Sequence, residues 1–227
     1  MLELNKIYNM DCLDGMKQIE DNSIDLVLTD PPYYVPAKHY VHNRKKYSQR
    51  KVSDLSILEH FFNRWINEVI RVIKKDGRIY IFCDSQSYPL IFTGLYNHVK
   101  SIRIIVWDKI SAFTGFTWRK QHELIAYAEM QDAVKINTSD GDIIKNRVVN
   151  LDDRLHPTQK PEELIEKIIR KHISSKIILD PFIGSGTTAV VCKKLGFSFI
   201  GFELDRDFYN VSLDRLNKMN KQIKLVS

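Results

Sequence analysis

The chain has 227 residues, 44% of them apolar, which is enough for one sizeable α/β domain or two small ones. Its formal net charge of +6 favours a polyanionic partner. No apolar run approaches the roughly 18 residues of a membrane span, and the first residues lack the apolar core of a signal peptide. We therefore expect a cytoplasmic protein that does not span a membrane.

Hydrophobic periodicity predicts seven strands and six helices in chain order. The strands are predicted at residues 6–10, 24–29, 78–83, 102–107, 124–128, 176–179 and 198–202. The helices are predicted at 13–19, 54–75, 88–98, from 161, 187–195 and from 205. Because strands alternate with helices, we predict one α/β domain over residues 1–227, built on a doubly wound, mostly parallel sheet.

The first motif, Asp30-Pro31-Pro32-Tyr33, directly follows the predicted strand 24–29. Ligands of open α/β sheets bind at the carboxyl ends of the strands, so this is a favourable position for a site. A carboxylate accepts hydrogen bonds, an aromatic ring stacks, and two prolines stiffen the turn. The motif suits a flat group with N–H donors, such as a nucleobase amine, although Asp and Pro are also ordinary turn residues.

A basic segment, residues 34–53, follows the first motif and contains no Asp or Glu. Its six basic side chains equal the whole net charge of the chain. They are Lys38, Arg44, Lys45, Lys46, Arg50 and Lys51. We predict a mobile loop that holds phosphates of a polyanion, with Tyr40 and Tyr47 available to stack or wedge; a merely solvated loop is the alternative.

The second motif runs from Asp180 to Ala189, between a predicted strand and a predicted helix. Gly184 and Gly186 permit a tight turn and a close approach of the backbone to a ligand. Glu203 follows the next predicted strand, and its carboxylate can accept hydrogen bonds from both hydroxyls of a ribose. The Gly-x-Gly-x-x-Ala spacing also fits a dinucleotide site, which leaves a nicotinamide-dependent oxidoreductase open, whereas the lack of Gly-Lys-Ser/Thr excludes a P-loop.

A third motif, His156-Pro157-Thr158-Gln159-Lys160-Pro161, precedes the helix that leads to the glycine loop. Lys160 could neutralise a small carboxylate. Taken alone, the motif also fits a proline-delimited linker with a solvated lysine.

In this order, the three motifs resemble those of the S-adenosylmethionine-dependent DNA amino-methyltransferases. The catalytic motif precedes the cofactor loop, as in the circularly permuted β group of that family. The resemblance extends from Asp11 to about Phe208. It implies a seven-stranded Rossmann-like sheet and transfer of a methyl group to the exocyclic amine of a base flipped out of DNA.

The resemblance also implies roles for particular residues. Asp30 and the Pro31 carbonyl would accept the two hydrogens of the target amine, Pro32 would complete the motif, and Tyr33 would stack on the base. Asp11 would contact the cofactor's adenine amine and Glu203 its ribose. The other implied cofactor contacts are Thr158 and Lys160 at the methionine carboxylate, together with Asp180, Phe182, Gly184, Ser185, Gly186 and Thr187. Independently of these carried-over roles, the charge and position of the basic segment lead us to expect DNA contacts from Lys38, Arg44, Lys45, Lys46, Arg50 and Lys51.

Two later segments match the family more loosely. Trp107-Asp108-Lys109 and the stretch 116–123 are similar to motifs that help shape the base pocket. The segment 129–155 is the implied target-recognition element. Because it is short, we expect a short recognition site or help from a second subunit; a homodimer and a cognate restriction endonuclease are therefore partners that the resemblance allows.

The chemistry expected of these residues needs neither a covalent intermediate nor a metal. An exocyclic amine is a poor nucleophile because its lone pair is delocalised, and two acceptors on its hydrogens localise that lone pair. Cys12, Cys83 and Cys192 show no paired or metal spacing and are expected to be buried thiols. The seven histidines show no ligand spacing either, so we expect no metal.

The identity of the target base stays open between two amines. Asp at the head of the first motif favours N6 of adenine, and N4 of cytosine is the alternative. A further alternative is a DNA-binding module that has lost catalysis. The presence of four expected site residues argues against it: Asp30, Tyr33, Gly184 and Glu203.

Overall fold

The computed structural model describes residues 2–33, 54–111, 118–136, 139–156, 159–172, 174 and 176–226. The strands are β1 (Lys6–Tyr8), β2 (Ile24–Thr29), β3 (Ile73–Cys83), β4 (Ser101–Asp108), β5 (His122–Glu129), β6 (Ile143–Lys145), β7 (Ile177–Asp180) and β8 (Ser198–Phe202). The helices are α1 (Cys12–Met16), α2 (Leu55–Val72), α3 (Tyr88–Tyr96), α4 (Glu162–Arg170), α5 (Thr187–Leu195) and α6 (Arg206–Val226).

The strands form one sheet in the order β1-β8-β7-β2-β3-β5-β4-β6. Every neighbouring pair is parallel except the two pairs that β5 makes with β3 and β4. The predicted α/β class with a mostly parallel sheet is confirmed. The sheet has an eighth strand, β6, in addition to the seven expected, and its three residues are too few to give a periodic signal.

Two hydrophobic clusters cover the two faces of the sheet. One contains apolar side chains of α1, α2 and α3, among them Met16, Trp65 and Leu95. The other contains apolar side chains of α4, α5 and α6. The helices therefore divide evenly between the two faces, which is the doubly wound arrangement that the alternating pattern predicts.

Helix α2 ends three residues earlier than the periodicity predicts, at Val72. The backbone from Ile73 is already extended, and Ile73 pairs with Ile24 of β2. The next pairing joins Leu26 to Arg78, so β3 contains an irregularity at this end of the sheet. Ile73, which the periodicity assigns to the helix, therefore takes part in strand pairing instead.

The parallel strands place their carboxyl ends together at one edge of the sheet, which we call the carboxyl edge. It comprises the segments that follow β1, β2, β3, β4, β6, β7 and β8. Because β5 runs in the opposite direction, its first residues, His122 and Glu123, also lie at this edge. This edge therefore collects the ends of seven strands and the start of one.

The three cysteines, Cys12, Cys83 and Cys192, are buried and carry free thiols, as predicted. Burial raises the pKa of the Cys12 and Cys83 thiols to about 12, which leaves neither of them a thiolate nucleophile.

Within the part of the chain that the structure describes, no helix has the length and apolar character needed to cross a lipid bilayer. Across the same residues, His, Cys, Asp and Glu side chains form no cluster of three suited to a metal ion.

Asp25 fastens the beginning of β2 to β7 and β3. Its carboxylate accepts hydrogen bonds from the backbone N–H groups of Lys176 and Ile177, at 3.0 and 2.8 Å, and pairs with the Lys74 ammonium at 2.7 Å. We expect Asp25→Ala to lower the free energy of unfolding by about 1–3 kcal/mol, because it removes the acceptor for these groups. Urea denaturation measures this change, and Asp25→Asn, which keeps one acceptor oxygen, should lose less.

Candidate active site

Asp30 lies at the carboxyl edge, directly after β2, and both of its carboxylate oxygens contact side chains of the protein. The Lys160 ammonium lies 2.5 Å from Oδ2. The Tyr33 hydroxyl donates to Oδ1. Pro31 between them is buried, so the turn holds Asp30 and Tyr33 on the same side of the edge.

Glu123, the second residue of β5, closes these contacts into a ring. Its Oε1 lies 2.8 Å from the Tyr33 hydroxyl and 3.3 Å from the Lys160 ammonium. Its Oε2 lies 3.0 Å from the ammonium of Lys109, which follows β4. Asp30, Tyr33, Glu123, Lys160 and Lys109 therefore form one cluster, which we call the clamp cluster, with two carboxylates and two ammonium groups.

The two carboxyl groups of the clamp cluster differ in how readily they take up a proton. The Tyr33 hydroxyl has one proton but lies within hydrogen-bond reach of both Asp30 and Glu123. The pKa of the Glu123 carboxyl is lowered to about 2 because Lys160 and Lys109 outweigh the effect of burial. Burial, together with the Glu123 charge, raises the pKa of the Asp30 carboxyl. Asp30 is therefore the carboxyl group that takes up a proton more readily.

Lys160 is almost fully inside the protein, with 8% of its side chain exposed. Burial lowers the pKa of its ammonium, but the two nearby carboxylates outweigh burial, so the pKa is raised and the group stays charged. Its ammonium also lies 4.9 Å from the centre of the Phe82 ring. Its predicted contact with a cofactor carboxylate stays a prediction, and the structure adds two partners within the clamp cluster.

Asp180 connects the glycine loop to β2. Its Oδ1 accepts hydrogen bonds from the Thr29 hydroxyl at 2.8 Å and from the Phe182 backbone N–H at 3.1 Å. Its Oδ2 accepts one from the Thr188 hydroxyl at 2.6 Å. Thr29 precedes Asp30, so this buried carboxylate sets the glycine loop directly beside the clamp cluster. Asp180 thus supports both motifs, and its predicted contact with a cofactor is untested.

The two loop glycines have left-handed backbone conformations, with φ +54° at Gly184 and +82° at Gly186. A Cβ atom on Gly186 would lie 2.9 Å from Cβ of Ser212 on α6, which is too close for a packed side chain. At Gly184 the nearest side chain is His156 of the third motif, about 3.8 Å from such an atom. The loop therefore needs glycine at 186 both for its conformation and for its contact with α6.

Ser185 and Thr187 contact Arg215 of helix α6, and both also line the cavity that Asp30 and Gly184 share. The Arg215 guanidinium donates to the Ser185 carbonyl at 2.9 Å and to the Thr187 hydroxyl at 3.1 Å. Arg215 also pairs with Glu162 of α4 at 2.7 Å. The predicted cofactor contacts of Ser185 and Thr187 are untested, and the structure gives both residues a part in bracing the loop.

Glu203 and Asp11 lie on the far side of the glycine loop from Asp30. Glu203 follows β8, has 1% of its surface exposed, and accepts a hydrogen bond from the Asp205 backbone N–H at 2.8 Å. Asp11 follows β1 and caps α1 by accepting from the Leu13 N–H at 2.8 Å. Since β1, β8, β7 and β2 are neighbours in the sheet, the order along the carboxyl edge is Asp11, Glu203, the glycine loop and Asp30.

Phe182 extends the site with an aromatic surface. Its ring packs edge-on against Trp65 and Phe61 of α2, at centroid distances of 5.5 and 5.9 Å. The ring is only partly buried, so one side of it remains at the surface of the loop. It therefore offers an apolar contact next to the polar clamp cluster.

The three motifs meet at one cavity of about 50 Å³. Asp30 lines it from the first motif, Lys160 from the third and Gly184 from the glycine loop, with Phe82 at the end of β3. The structure therefore brings together residues that are up to 154 positions apart in the chain. Their convergence is independent of the motif resemblance.

Several predicted site residues lie outside the described residues. They are Thr158, Lys38, Arg44, Lys45, Lys46, Arg50 and Lys51, together with Tyr40, Tyr47 and positions 116 and 117 of the stretch 116–123. Their predicted roles at the cofactor or at DNA are untested.

The motif resemblance covers the stretch ending at Glu123 only loosely, and no sequence pattern predicts a role for Arg215. One sequence feature does point to Glu123, because its carboxylate directly precedes the apolar run Leu124-Ile125-Ala126. A carboxylate next to a buried strand needs a charged or hydrogen-bonding partner. Arg215 has no such signal, because it lies in an amphipathic helix rich in charges.

Comparison with known proteins places the chain among DNA methylases. The DNA methylase family N6_N4_Mtase matches residues 24–214. The type II methyltransferase M1.MboII of Moraxella bovis is 30% identical, over 96% of this chain and 99% of that protein. The type II methyltransferase M.HinfI of Haemophilus influenzae is 27% identical, over 95% of this chain and 69% of that protein.

Solved structures share the fold. The M1.HpyAVI–SAM complex aligns with a TM-score of 0.69 at 24% identity and covers 93% of this chain and 98% of that one. The cytosine-N4-specific PvuII DNA methyltransferase aligns with a TM-score of 0.75 at 15% identity, over 95% of this chain and 90% of that one. At these identities the likeness concerns the sheet and its helices.

Asp180 gives a prediction about pH and stability. Burial raises the pKa of its carboxyl to about 6, from an ordinary value of 3.8. Between these values the folded protein keeps a proton that the unfolded chain releases, so the free energy of unfolding falls as the pH rises through this window. Asn at 180 cannot ionise and keeps one acceptor oxygen. We expect Asp180→Asn to gain about 2–3 kcal/mol relative to the wild type across the window.

Urea denaturation at a series of pH values from about 4 to about 6.5 measures this difference. Parallel stability curves for the two proteins would contradict the expected protonation of Asp180.

Proposed function

The chain belongs to the N6/N4 DNA methylase family, and on that premise we propose that it methylates the N6 amine of adenine in double-stranded DNA, with S-adenosylmethionine as the methyl donor. The observation that carries this proposal is the meeting of the Asp30 clamp and the glycine loop at one cavity. An amine acceptor and a nucleoside-binding loop next to each other are the two parts that such a transfer requires.

The clamp accounts for recognition of the amine. Asp30 and the Pro31 carbonyl are the acceptors for its two hydrogens, and they localise the nitrogen lone pair. Tyr33 supplies a ring for stacking on the base, while its hydroxyl is held by Asp30 and Glu123. The amine is inaccessible within a duplex, so the base is flipped out to reach this position.

The hydrogen-bond acceptors and the aromatic ring at the carboxyl edge fit S-adenosylmethionine. Neighbouring strands lie about 4.8 Å apart, so the four strand ends from β1 to β2 span about 14 Å. Along that span Asp11 would accept from the adenine amine, Glu203 would hold the ribose hydroxyls, and Phe182 with Gly184 would line the methionine end. When bound, the cofactor supplies a methyl group activated by a sulfonium.

The residues of this chain then align the reaction. Asp30 and the Pro31 carbonyl hold the amine nitrogen so that its lone pair would face the methyl group that S-adenosylmethionine would supply. The excess proton on the nitrogen passes to an acceptor. Asp30 is in position to be that acceptor, because it holds the amine. In-line positioning of this kind contributes several kcal/mol to lowering the barrier.

Adenine is the favoured base because an Asp heads the clamp motif. N4 of cytosine is the alternative outcome, and mass spectrometry of nucleosides from treated DNA distinguishes N6-methyladenine from N4-methylcytosine. Absence of both would favour a DNA-binding module without catalysis. The nicotinamide-dependent oxidoreductase suggested by the glycine spacing is set aside by the family match.

For DNA contact we propose the basic residues of the segment 34–53, and for base recognition the segment 129–155. The latter begins at the edge opposite the active site, where the Met130 N–H bonds to the Gly77 carbonyl. It returns to the carboxyl edge only at Asn146, whose N–H bonds to the Asp108 carbonyl at 3.0 Å. We narrow the proposed recognition element to residues 146–155 on this ground.

A cognate restriction endonuclease is a further proposal, because the relatives M1.MboII and M.HinfI are type II methyltransferases. A homodimer is proposed from the small size of the recognition element. Sedimentation with and without a DNA duplex tests the latter.

Asp30→Ala tests the clamp. We expect methyl transfer to fall by about 10²–10³-fold, because the amine loses its charged acceptor, while S-adenosylmethionine affinity by calorimetry stays within about twofold. The matched control is Asp25→Ala, the same change at the other end of β2, which lowers stability and keeps kcat under folding conditions. Retained transfer in Asp30→Ala would refute the assignment.

Gly186→Ala tests the glycine loop, with Gly196→Ala as its control. Both residues have a positive φ, of +82° and +77°, but a Cβ at 196 meets nothing within 4 Å. Both variants should lose about 1–2 kcal/mol of stability from backbone strain. Only Gly186→Ala pushes the loop away from Ser212, so only it should lose S-adenosylmethionine affinity, by about tenfold or more. Equal affinities of the two variants would remove the loop from the cofactor site.

A further inference from the structure

Glu123 joins the groups that contact Asp30. One of its oxygens, Oε1, meets both the Tyr33 hydroxyl at 2.8 Å and the Lys160 ammonium at 3.3 Å. These two groups are also the ones that contact the two oxygens of Asp30. Asp30 and Glu123 thus share two partners, one hydroxyl and one ammonium.

Glu123 is held firmly enough to act as a fixed point. It follows His122 at the start of β5, it pairs with Trp107 of β4, and only 13% of its side chain is exposed. Its Oε2 is engaged from the opposite side by the Lys109 ammonium at 3.0 Å. Lys109 in turn lies 4.9 Å from the Trp107 ring centre. The carboxylate is therefore fixed by Lys109 and presents Oε1 to the clamp.

A substrate amine has to compete with these contacts, because both oxygens of Asp30 are occupied by Tyr33 and Lys160. Lys160 is buried, and a buried ammonium that loses its counter-charge is strongly destabilised. Glu123 removes that obstacle, because it already contacts both groups and retains them when Asp30 releases them.

We propose that Glu123 is a positioning residue of the clamp, which keeps the Lys160 ammonium and the Tyr33 hydroxyl paired while Asp30 exchanges them for the amine of the substrate base. The inference rests on the proposed function and deepens it. Glu123 acts through its neighbours, since the contacts that the structure gives it are to Tyr33, Lys160 and Lys109.

The charges that face Asp30 come from several elements. Lys160 and Tyr33 contact it directly, and Glu123 acts on it across them. Asp180 at the end of β7 and Cys83 at the end of β3 also lie within its electrostatic reach. Of these groups, Glu123 raises the pKa of the Asp30 carboxyl and Lys160 lowers it. Substitutions at the two positions therefore shift the protonation of Asp30 in opposite directions.

Glu123→Gln tests the proposal through kcat and its dependence on pH. Without the second carboxylate, Lys160 stays on Asp30, so we expect kcat to fall about tenfold or more with little change in KM for DNA. Loss of the nearby negative charge lowers the pKa of Asp30, so the acidic limb of the pH–rate profile should move down by about one unit. Lys160→Gln should move the same limb upward.

Glu129→Gln is the matched control on the same strand, because Glu129 lies outside the recognition element proposed above, residues 146–155. Glu129 accepts hydrogen bonds from the Tyr127 and Ser101 hydroxyls, at 2.8 and 2.9 Å, at the other end of β5. This variant makes the same substitution at a partly buried carboxylate, and should keep the kcat and pH profile of the wild type. Glu123→Asp, which keeps the charge, should restore the position of the acidic limb.

A titration that needs no DNA separates the two proposals. Carbon-13 NMR of the Asp30 carboxyl, assigned by its disappearance in Asp30→Asn, should show a lower midpoint in Glu123→Gln and an unchanged one in Glu129→Gln. If the wild type methylates no DNA but this shift is seen, the proposed function fails while the coupling between Glu123 and Asp30 stands. A wild-type midpoint and kcat in Glu123→Gln, or an equal loss in Glu129→Gln, would overturn the inference.

Discussion

The buried ammonium of Lys160 is the interaction on which the site depends. It lies between the carboxylates of Asp30 and Glu123, at 2.5 and 3.3 Å, with almost no access to water. Each of these charges would be unfavourable inside the protein by itself, because burial favours the neutral form of any ionisable group. Together with Lys109 they balance, so a strand-end carboxylate can be kept beside an apolar core and still accept hydrogen bonds.

A second buried carboxylate, Asp180, determines where that cluster lies relative to the glycine loop. Its three hydrogen bonds tie Thr29, the loop backbone at Phe182 and the start of α5 to one point. The loop is braced from behind by Arg215 and its contacts with Ser185 and Thr187. Asp180, Ser185 and Thr187 also line the cavity beside Asp30, so the residues that support the loop form part of the wall of the site.

Motifs that consist of neighbouring residues can be predicted from the amino-acid sequence. The Asp30 motif and the glycine loop each follow an apolar run that becomes a buried strand, and their turn chemistry depends on the residues themselves. Glu123 could not be placed in this way, because its position at the carboxyl edge depends on β5 running against its neighbours. Strand direction is a property of the connections and the packing, and nothing in the residues 122–129 alone specifies it. β6 escapes a periodicity argument for a separate reason, because three residues are too few to give a periodic signal.

The amino-acid sequence by itself determined the α/β class, the alternation of strands and helices, and the three motifs with the family they resemble. These follow from local hydrophobic patterns and from residue types at short spacing. Only the tertiary structure decided that Lys160 pairs with Asp30, that Glu123 shares both partners of that carboxylate, and that Ser185 and Thr187 turn toward Arg215. The physical reason is that a buried charge takes the nearest available counter-charge, and the identity of that neighbour depends on how distant strand ends meet at one edge of the sheet.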